Sequence, residues 1–443
     1  MRIASMVLSA AAAMCATAAC ASAQANTARM DQIAQFYANS DDHFMGSVLV
    51  ARDGHIEFDK GYGYADIEWH APNTADTKFR LGSLTKQFTA ASILLLEERG
   101  KLKTDDLVKQ YMPDAPAAWD HITIYHVLTH TSGIPNFTGF PSYDTVKATR
   151  RTPEQMVALF RDKPLDFQPG EKWNYSNSGY VLLGYLIEKI SGQKYEDFIQ
   201  ENLFKPLGMT NTGYDWRATI LPQRASGYSM GEHGLVNADY IDMSIPYSAG
   251  SLYSTTHDLL KWEQGLFGGK VLSAASLKKM TTPYKNNYGC GVAITTKNGH
   301  TRIAHTGGID GFSTDMAYYP DEKITVIALS NLLSGDVVTV ATKLEAVEHG
   351  EKVVLPNERQ VVSVPATVLA GYAGTYQLQP GYNLTVTLDG GKLMVAQPRQ
   401  PTSQLFASSP TKFYLGIQDT EIEFVDKGLV MRMGDDSYHA TKQ

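Results

Sequence analysis

Strand-forming residues gather at two places far apart in the chain, with a long helical stretch between them, and this limits what the chain can fold into. Near the start, Ser47-Val48-Leu49-Val50-Ala51 and His55-Ile56-Glu57-Phe58 flank Asp53-Gly54, two residues that tolerate the positive φ a tight hairpin turn needs. Far downstream, Arg302–His305, Thr314–Tyr319 and Ile324–Leu329 read as strands, the last two joined by a Pro320-Asp321 turn. Between them the signals are helical. Thr104 stands ahead of Asp105 and Asp106, and Thr152-Pro153-Glu154 supplies a cap, a first-turn proline and a first-turn acid. A further helix is expected over Met30–Tyr37. Strands from both ends enclosing helices imply an α/β (α+β) fold: one antiparallel sheet flanked by helices, closed by distant segments, with an all-helical subdomain inserted.

Beyond Val353 the texture changes. Leu369–Gln443 alternates apolar and polar residues in about eight short runs, broken at Pro380-Gly381, Asp389-Gly390-Gly391, Ser409-Pro410 and Lys427-Gly428. That pattern predicts a small antiparallel all-β barrel or sandwich, with Pro356-Asn357-Glu358-Arg359 as the linker. The expected division is a leader over 1–25, a catalytic domain over 26–355 and the barrel over 356–443.

The leader follows from the first residues. Arg2 precedes the apolar, Ala-rich run Ile3–Ala19, and Ala21-Ser22-Ala23 is a small-residue cleavage pattern, with the cut after Ala23 or Ala25. The run is short and weak for a membrane span, and Thr17 stands where a lipid-attachment signal around Cys20 wants a Leu-like residue. The expectation is a periplasmic or secreted protein with no integral span in the mature chain. Removing Cys15 and Cys20 leaves Cys290 alone, so no intrachain disulfide is expected. A net charge of −7 argues against nucleic acid as a partner. The expected partner is a small-molecule or peptide substrate, with no metal and no cofactor; oligomeric state is not legible.

The chemistry begins with Ser-x-x-Lys, which occurs four times: Ser83/Lys86, Ser191/Lys194, Ser276/Lys279 and Ser409/Lys412. Only the first heads an apolar helix, running through Ile93, Leu94 and Leu95 to Gly100. There a lysine one turn from the serine shares its face. If that face is dry, the ammonium is disfavoured, its pKa falls below ~10.4, and the amine can accept the serine proton. The competing reading makes Ser83 a plain helix cap. Tyr175-Ser176-Asn177 is the second element: a phenol able to relay a proton, and an amide able to hold both Lys86 and a substrate carbonyl. Alone, Asn177 reads as a cap and Tyr175 as a packed aromatic. The third, His305-Thr306-Gly307-Gly308, ends a strand where glycines let a substrate lie close. There the N–H of Gly308 can pair with that of Ser83 as an oxyanion hole.

Taken in this order and on these elements, Ser83-Leu84-Thr85-Lys86, Tyr175-Ser176-Asn177 and His305-Thr306-Gly307 resemble the motifs of the penicillin-recognising serine hydrolases. That superfamily includes class C β-lactamases, DD-peptidases, D-amino-acid peptidases and esterases. The text Ile124-Tyr125-His126-Val127-Leu128-Thr129-His130-Thr131-Ser132-Gly133-Ile134-Pro135 is also similar, and the likeness runs from about Asp31 to Leu344. Tyr372-Ala373-Gly374-Thr375-Tyr376 resembles the start of the lipocalin-like barrel that often ends such chains. The resemblance implies a β-lactamase/transpeptidase-like fold, with Ser83 as acylated nucleophile, Lys86 as its base and Tyr175 as proton carrier. Asn177, His305, Thr306 and Gly307 would bind substrate, and Ser83 and Gly308 the oxyanion. Class C β-lactamases usually have Lys where this chain has His305. A histidine of pKa ~6.5 is largely neutral at pH 7, which points away from efficient β-lactam hydrolysis and toward the DD-carboxypeptidase and D-peptidase branch. Esterase or weak β-lactamase action on the same site, and a sensor that acylates without turnover, are the alternatives.

Two rival motifs are weaker. Gly227-Tyr228-Ser229-Met230-Gly231 fits a nucleophile elbow, which needs a strand before it and a helix after it. Neither flank supports that. His126 and His130 have zinc-protease spacing, but Val127 stands where the glutamate is required.

Overall fold

A computed structural model describes residues 24–39, 44–334, 336–379, 381–398, 402–415, 420–433 and 436–443; the leader up to Ala23, with Cys15 and Cys20, lies outside them, as does Pro380. Among the described residues no helix is long and apolar enough to cross a membrane. The chain divides into two compact units, one ending at Gly350 and the other covering Glu351–Gln443. The expected linker at Pro356 is a single 3₁₀ turn, Pro356–Glu358, inside the second unit.

The first unit opens with a helix over 24–39, α1, and then the expected hairpin. Strand β1 (Gly46–Arg52) pairs with β2 (His55–Tyr62), and the turn takes φ of 47° at Asp53 and 78° at Gly54. The helical stretch follows. It includes α2 (Thr85–Glu98), α3 (Asn177–Ser191) and α4 (Thr256–Phe267). The downstream strands are β3 (Ala293–Lys297), β4 (His300–Ile309), β5 (Phe312–Tyr319) and β6 (Ile324–Ser330), followed by α5 (Asp336–Glu348). Six strands form one antiparallel sheet in the order β3-β4-β5-β6-β1-β2. The two ends of the chain therefore meet at β1 and β6, as the pattern required, with Gly46 opposite Ser330 and Arg52 opposite Ile324. Both strands are buried along almost their whole length, which explains why they read as continuous apolar runs rather than alternating ones.

Helix α2 is buried nearly all round, its apolar Phe88, Ala90, Ala91, Ile93 and Leu94 together with the polar Thr85, Lys86, Gln87, Thr89 and Ser92. Phe88 packs its ring 4.2 Å from that of Trp262 on α4. Each such fully buried side chain contributes roughly 1.5–3 kcal/mol. Helix α3 lies against α2 and ends at Gly192, whose φ of 72° closes the last turn in the left-handed form. Thr152 caps Pro153–Val157 as expected, in a capping box with Gln155. Thr104 does not start a helix. The next one begins at Val108, because the Thr104 backbone N–H and hydroxyl both bond to Glu97 Oε1, at 2.8 and 2.9 Å. Asp106 accepts from Lys103 N at 2.7 Å. These side-chain bonds hold residues 103–106 in a turn.

The second unit contains a closed antiparallel barrel of eight strands, matching the eight runs. They are β7 (Gly374–Gln379), β8 (Tyr382–Asp389), β9 (Lys392–Ala396), β10 (Ser403–Ala407), β11 (Lys412–Leu415), β12 (Thr420–Val425), β13 (Gly428–Met433) and β14 (Asp436–Lys442). Closure comes from Tyr376 opposite Lys442. Alternate residues such as Leu384, Val386, Ile422 and Phe424 fill the interior.

Candidate active site

The first question is how a serine can sit against a lysine that water does not reach. Residues Gly82–Leu84 form one 3₁₀ turn, and the α-helix starts at Thr85. Ser83 therefore stands one turn ahead of the α-helix, a small departure from the expected helix head. The cap reading fails, since no side chain caps either the 3₁₀ turn or α2. Instead Ser83 Oγ, partly exposed, receives a hydrogen bond from the Tyr175 hydroxyl at 2.7 Å and lies 2.8 Å from Lys86 Nζ.

Lys86 has no exposed surface. Its Nζ is 2.8 Å from Asn177 Oδ1 and 2.9 Å from the Ala249 carbonyl oxygen. Burial pushes its pKa well below the usual lysine range. A neutral amine has two N–H bonds, and these two fixed acceptors take both. The lone pair then faces the Ser83 hydroxyl hydrogen. The Tyr175 and Tyr180 rings lie 4.8 and 5.5 Å from Nζ.

Asn177 is free for this task because Ser176 caps α3, its Oγ accepting from Gly179 N at 3.4 Å. Tyr175 is held above its ordinary pKa, chiefly by burial, and so keeps its proton. His130 packs against its ring at 4.4 Å and accepts from Ser176 N through Nδ1 at 3.2 Å. The motif Tyr-x-Asn is thus fixed from both ends.

His305 lies on β4 and is 7 % exposed. Its Nδ1 is 2.6 Å from the Thr306 carbonyl oxygen, and its Nε2 is 2.9 Å from the Tyr288 hydroxyl. A carbonyl only accepts, so Nδ1 carries the hydrogen and Nε2 receives the Tyr288 proton. Both ring nitrogens are engaged within the protein, whereas a direct substrate contact would need one of them open. Burial first, and the nearby Lys86 second, lower its pKa to about 4. Folding therefore binds fewer protons at this ring than the unfolded chain does between pH 6.5 and 4. The stability of wild type relative to His305→Gln should fall by roughly 3 kcal/mol as pH drops through that window. Urea unfolding at several pH values checks this, and parallel curves would refute it.

Gly308 stands on the same wall. A Cβ on Gly82, whose φ is +53°, would lie 2.9 Å from Gly308 N, so the backbones of the serine turn and β4 run in close approach. Ser83, Asn177 and Gly308 line a small cleft of about 80 Å³. Tyr175, His305 and Thr306 line a second concavity of about 240 Å³ with Trp173 and Tyr288. Gly307 is buried between β5 and Leu81.

The decoys are accounted for. Lys194 follows the helix end at Gly192. Lys279 is paired with Glu97 at 2.7 Å. Ser409 Oγ accepts from Lys412 N in a barrel turn. Residues Tyr228–Gly231 form a hairpin with Gly234–Asn237 and no helix follows. His126 Nδ1 accepts from Thr123 N to complete a cap, and His130 turns away at φ 57°. Cys290 is buried, its thiol pushed up to about 12 by desolvation. One group, His300, Glu322 and His349, brings three potential metal ligands within 4.8 Å. The two imidazoles stack at 4.0 Å and 23°, and His300 Nδ1 is hydrogen-bonded to Glu322 Oε1.

Local sequence patterns did not disclose Ala249, Tyr288 or His130, since each reaches the site only through the fold.

Comparison with known proteins agrees with this geometry. A family model described as Beta-lactamase matches residues 33–349, and a domain of unknown function (DUF3471) matches residues 358–443. The chain is 33% identical over 411 residues to penicillin-binding protein 4* of Bacillus subtilis, covering 86% of this chain and 90% of that one. Among solved structures, it resembles the octameric penicillin-binding protein homologue from Pyrococcus abyssi at TM-score 0.68 and 26% identity, over 94% and 99% of the two chains. It also resembles a D-stereospecific amidohydrolase from Streptomyces sp. at TM-score 0.63 and 28% identity, over 74% and 99%.

Proposed function

This chain belongs to the beta-lactamase family and is a serine hydrolase, and from that premise we propose that it is exported and cleaves amide or peptide bonds beside a D-configured residue. The observation that carries the chemistry is Lys86, buried, with two fixed acceptors for its N–H bonds and its Nζ 2.8 Å from Ser83 Oγ. Ser83 Oγ attacks the substrate carbonyl carbon while its proton passes to Lys86 Nζ. The N–H groups of Ser83 and Gly308 take the oxyanion. As the carbon–nitrogen bond breaks, the leaving nitrogen takes the Tyr175 proton, and Lys86 returns one to Tyr175. The products are acyl-Ser83 and a free amine; water then enters by the reverse relay and releases the acid. Asn177 orients both Lys86 and the substrate. His305 supports the wall of the second concavity as a neutral ring, its family role as a direct substrate contact being the part its engaged nitrogens favour least.

The D-configuration draws on the D-stereospecific amidohydrolase and on the penicillin-binding relatives. The absence of a fixed cation at position 305 supports amides over β-lactams. A panel of D-Ala-D-Ala peptide, D-amino-acid amide, p-nitrophenyl ester and cephalosporin tests the reading on wild type and Ser83→Ala. The expected result is a loss of about a thousand-fold or more on every substrate in the variant, with the amide ahead of the cephalosporin in wild type. Activity retained in Ser83→Ala would remove the nucleophile. Export is tested by sequencing the mature N-terminus, expected at Gln24 or Asn26.

A further inference from the structure

The proposed function leaves open which side of the scissile bond the enzyme recognises, and the charges around Ser83 bear on that. Tyr175, the donor to the leaving group, lines the larger concavity and not the small cleft. The leaving group therefore lies toward the Tyr175, Trp173 and Thr306 side, and the acyl group occupies the cleft beside Asn177 and Gly308. Among the described residues lining that cleft only one carries a formal charge, Asp310, at the β4–β5 turn. Its Oδ1 accepts from Lys147 Nζ at 2.7 Å, and Lys147 also bonds Asp239 Oδ2 at 3.1 Å. Two carboxylates share one ammonium, so the group as a whole keeps a net negative charge; of the two, Asp310 lines the cleft and is 19 % exposed, while Asp239 is 82 % exposed.

Among the described residues that line the leaving-group concavity, no open cation is set against this negative charge. Arg302 is the charged residue lining that concavity. Its guanidinium is held by Glu345 at 2.9–3.2 Å and by Asp315 at 3.0 Å, both buried. His305 is neutral and engaged on both nitrogens. A substrate ending in a free carboxylate would find no unpaired positive charge among the described residues lining either side. A substrate with a protonated amine on its acyl residue would place its charge against the Asp310 carboxylate and give the Asp310–Lys147–Asp239 cluster its second cation.

We propose that Asp310 binds the α-ammonium of the substrate's acyl residue, so that the preferred substrates are amides and peptides with a free N-terminal D-residue rather than peptides with a free C-terminal carboxylate. This rests on the serine acyl-enzyme reading above. Lys147, on the segment after the Tyr143–Val146 helix, holds the carboxylate in place.

The test compares a D-aminoacyl p-nitroanilide with its N-acetyl form, on wild type and Asp310→Asn, by the ratio of their kcat/KM values. Using the ratio cancels any general loss in the variant. Wild type is expected to favour the free amine about ten-fold or more, and Asp310→Asn to cut that ratio about ten-fold. If the variant does not fold, the wild-type ratio still decides. It should fall as pH rises above ~8, where an α-amine loses its proton. A wild-type ratio near one, a ratio that does not change with pH, or an unaltered ratio in the variant would overturn the proposal. A neutral p-nitrophenyl ester separates the two levels. Ser83-dependent ester hydrolysis without amine preference sinks the role of Asp310 alone, whereas no Ser83-dependent hydrolysis of any substrate takes down both.

Discussion

Lys86→Met lowers acylation of Ser83 by about a thousand-fold or more, and it also removes a rise of stability with pH that the wild-type protein shows. The first effect follows from the lone pair at 2.8 Å from Ser83 Oγ, for which methionine has no counterpart. The second follows from burial, which lowers the Lys86 pKa well below 10.5. Between its folded pKa and 10.5 the unfolded chain carries a proton there that the folded protein lacks. Unfolding free energy must therefore increase with pH across that window, by about 1.4 kcal/mol per pH unit. At pH values below 10.5 and above the folded-state pKa, the wild type should therefore gain stability on Lys86→Met as pH rises. The absolute order of the two proteins is less decisive. Losing the amine also leaves Asn177 Oδ1 and the Ala249 carbonyl without their donor, at a cost of about 1–3 kcal/mol each. All five tryptophans lie before Gly350, so urea unfolding followed by tryptophan fluorescence reports the unit that holds the lysine. Parallel stability curves for the two proteins would mean that Lys86 is charged in the folded state, and the base assignment would fall.

Gly307→Ala should destabilise the same unit by roughly 3 kcal/mol and slow hydrolysis about a hundred-fold. A Cβ at Gly307 would sit 2.0 Å from the Leu81 carbonyl oxygen and 2.3 Å from Thr314 Oγ1. Neither can yield cheaply. Thr314 Oγ1 donates to that same carbonyl at 2.9 Å, and Leu81 N donates to Leu252 O at 2.8 Å. The strand must move away from the serine turn, which shifts Gly308 relative to Ser83. Gly308→Ala is the matched comparison, because an added Cβ there meets nothing within 4 Å; its effect on stability should be small. Equal destabilisation by the two substitutions would refute the close-approach argument.

The parts of this molecule that were legible in its sequence are those governed by short-range chemistry. Asp53-Gly54 specifies a hairpin because only residues tolerant of positive φ fit there. The eight alternating runs specify two-faced antiparallel strands because successive strand residues face opposite sides, and the pairing of Tyr376 with Lys442 makes them a barrel rather than a sandwich. Ser83/Lys86 stood out from its three decoys because only that pair opens an apolar helix. The parts that were not legible depend on partners brought from afar. The Ala249 carbonyl is 163 positions from Lys86, and a backbone acceptor leaves no trace in residue identity. Tyr288, which occupies His305 Nε2, is 17 positions away on a separate segment. His305 lines the concavity beside Tyr175, while both its ring nitrogens are engaged by Tyr288 and the Thr306 carbonyl, partners that its own motif does not disclose. Thr104 illustrates a local misreading: its cap-like context was outcompeted by Glu97 on the preceding helix.

The pairing of β1 with β6 has a further consequence for how the molecule is made. A ribosome delivers the hairpin of β1 and β2 early, but its neighbour across the sheet leaves the tunnel only after Ile324. Until then β1 offers a bare row of amides and carbonyls, and a two-stranded hairpin is barely stable alone. Closing so long a loop costs little extra free energy but much time. The sheet, and with it the wall that carries Gly307 and Gly308, therefore closes only after β6 has been made, long after the serine turn.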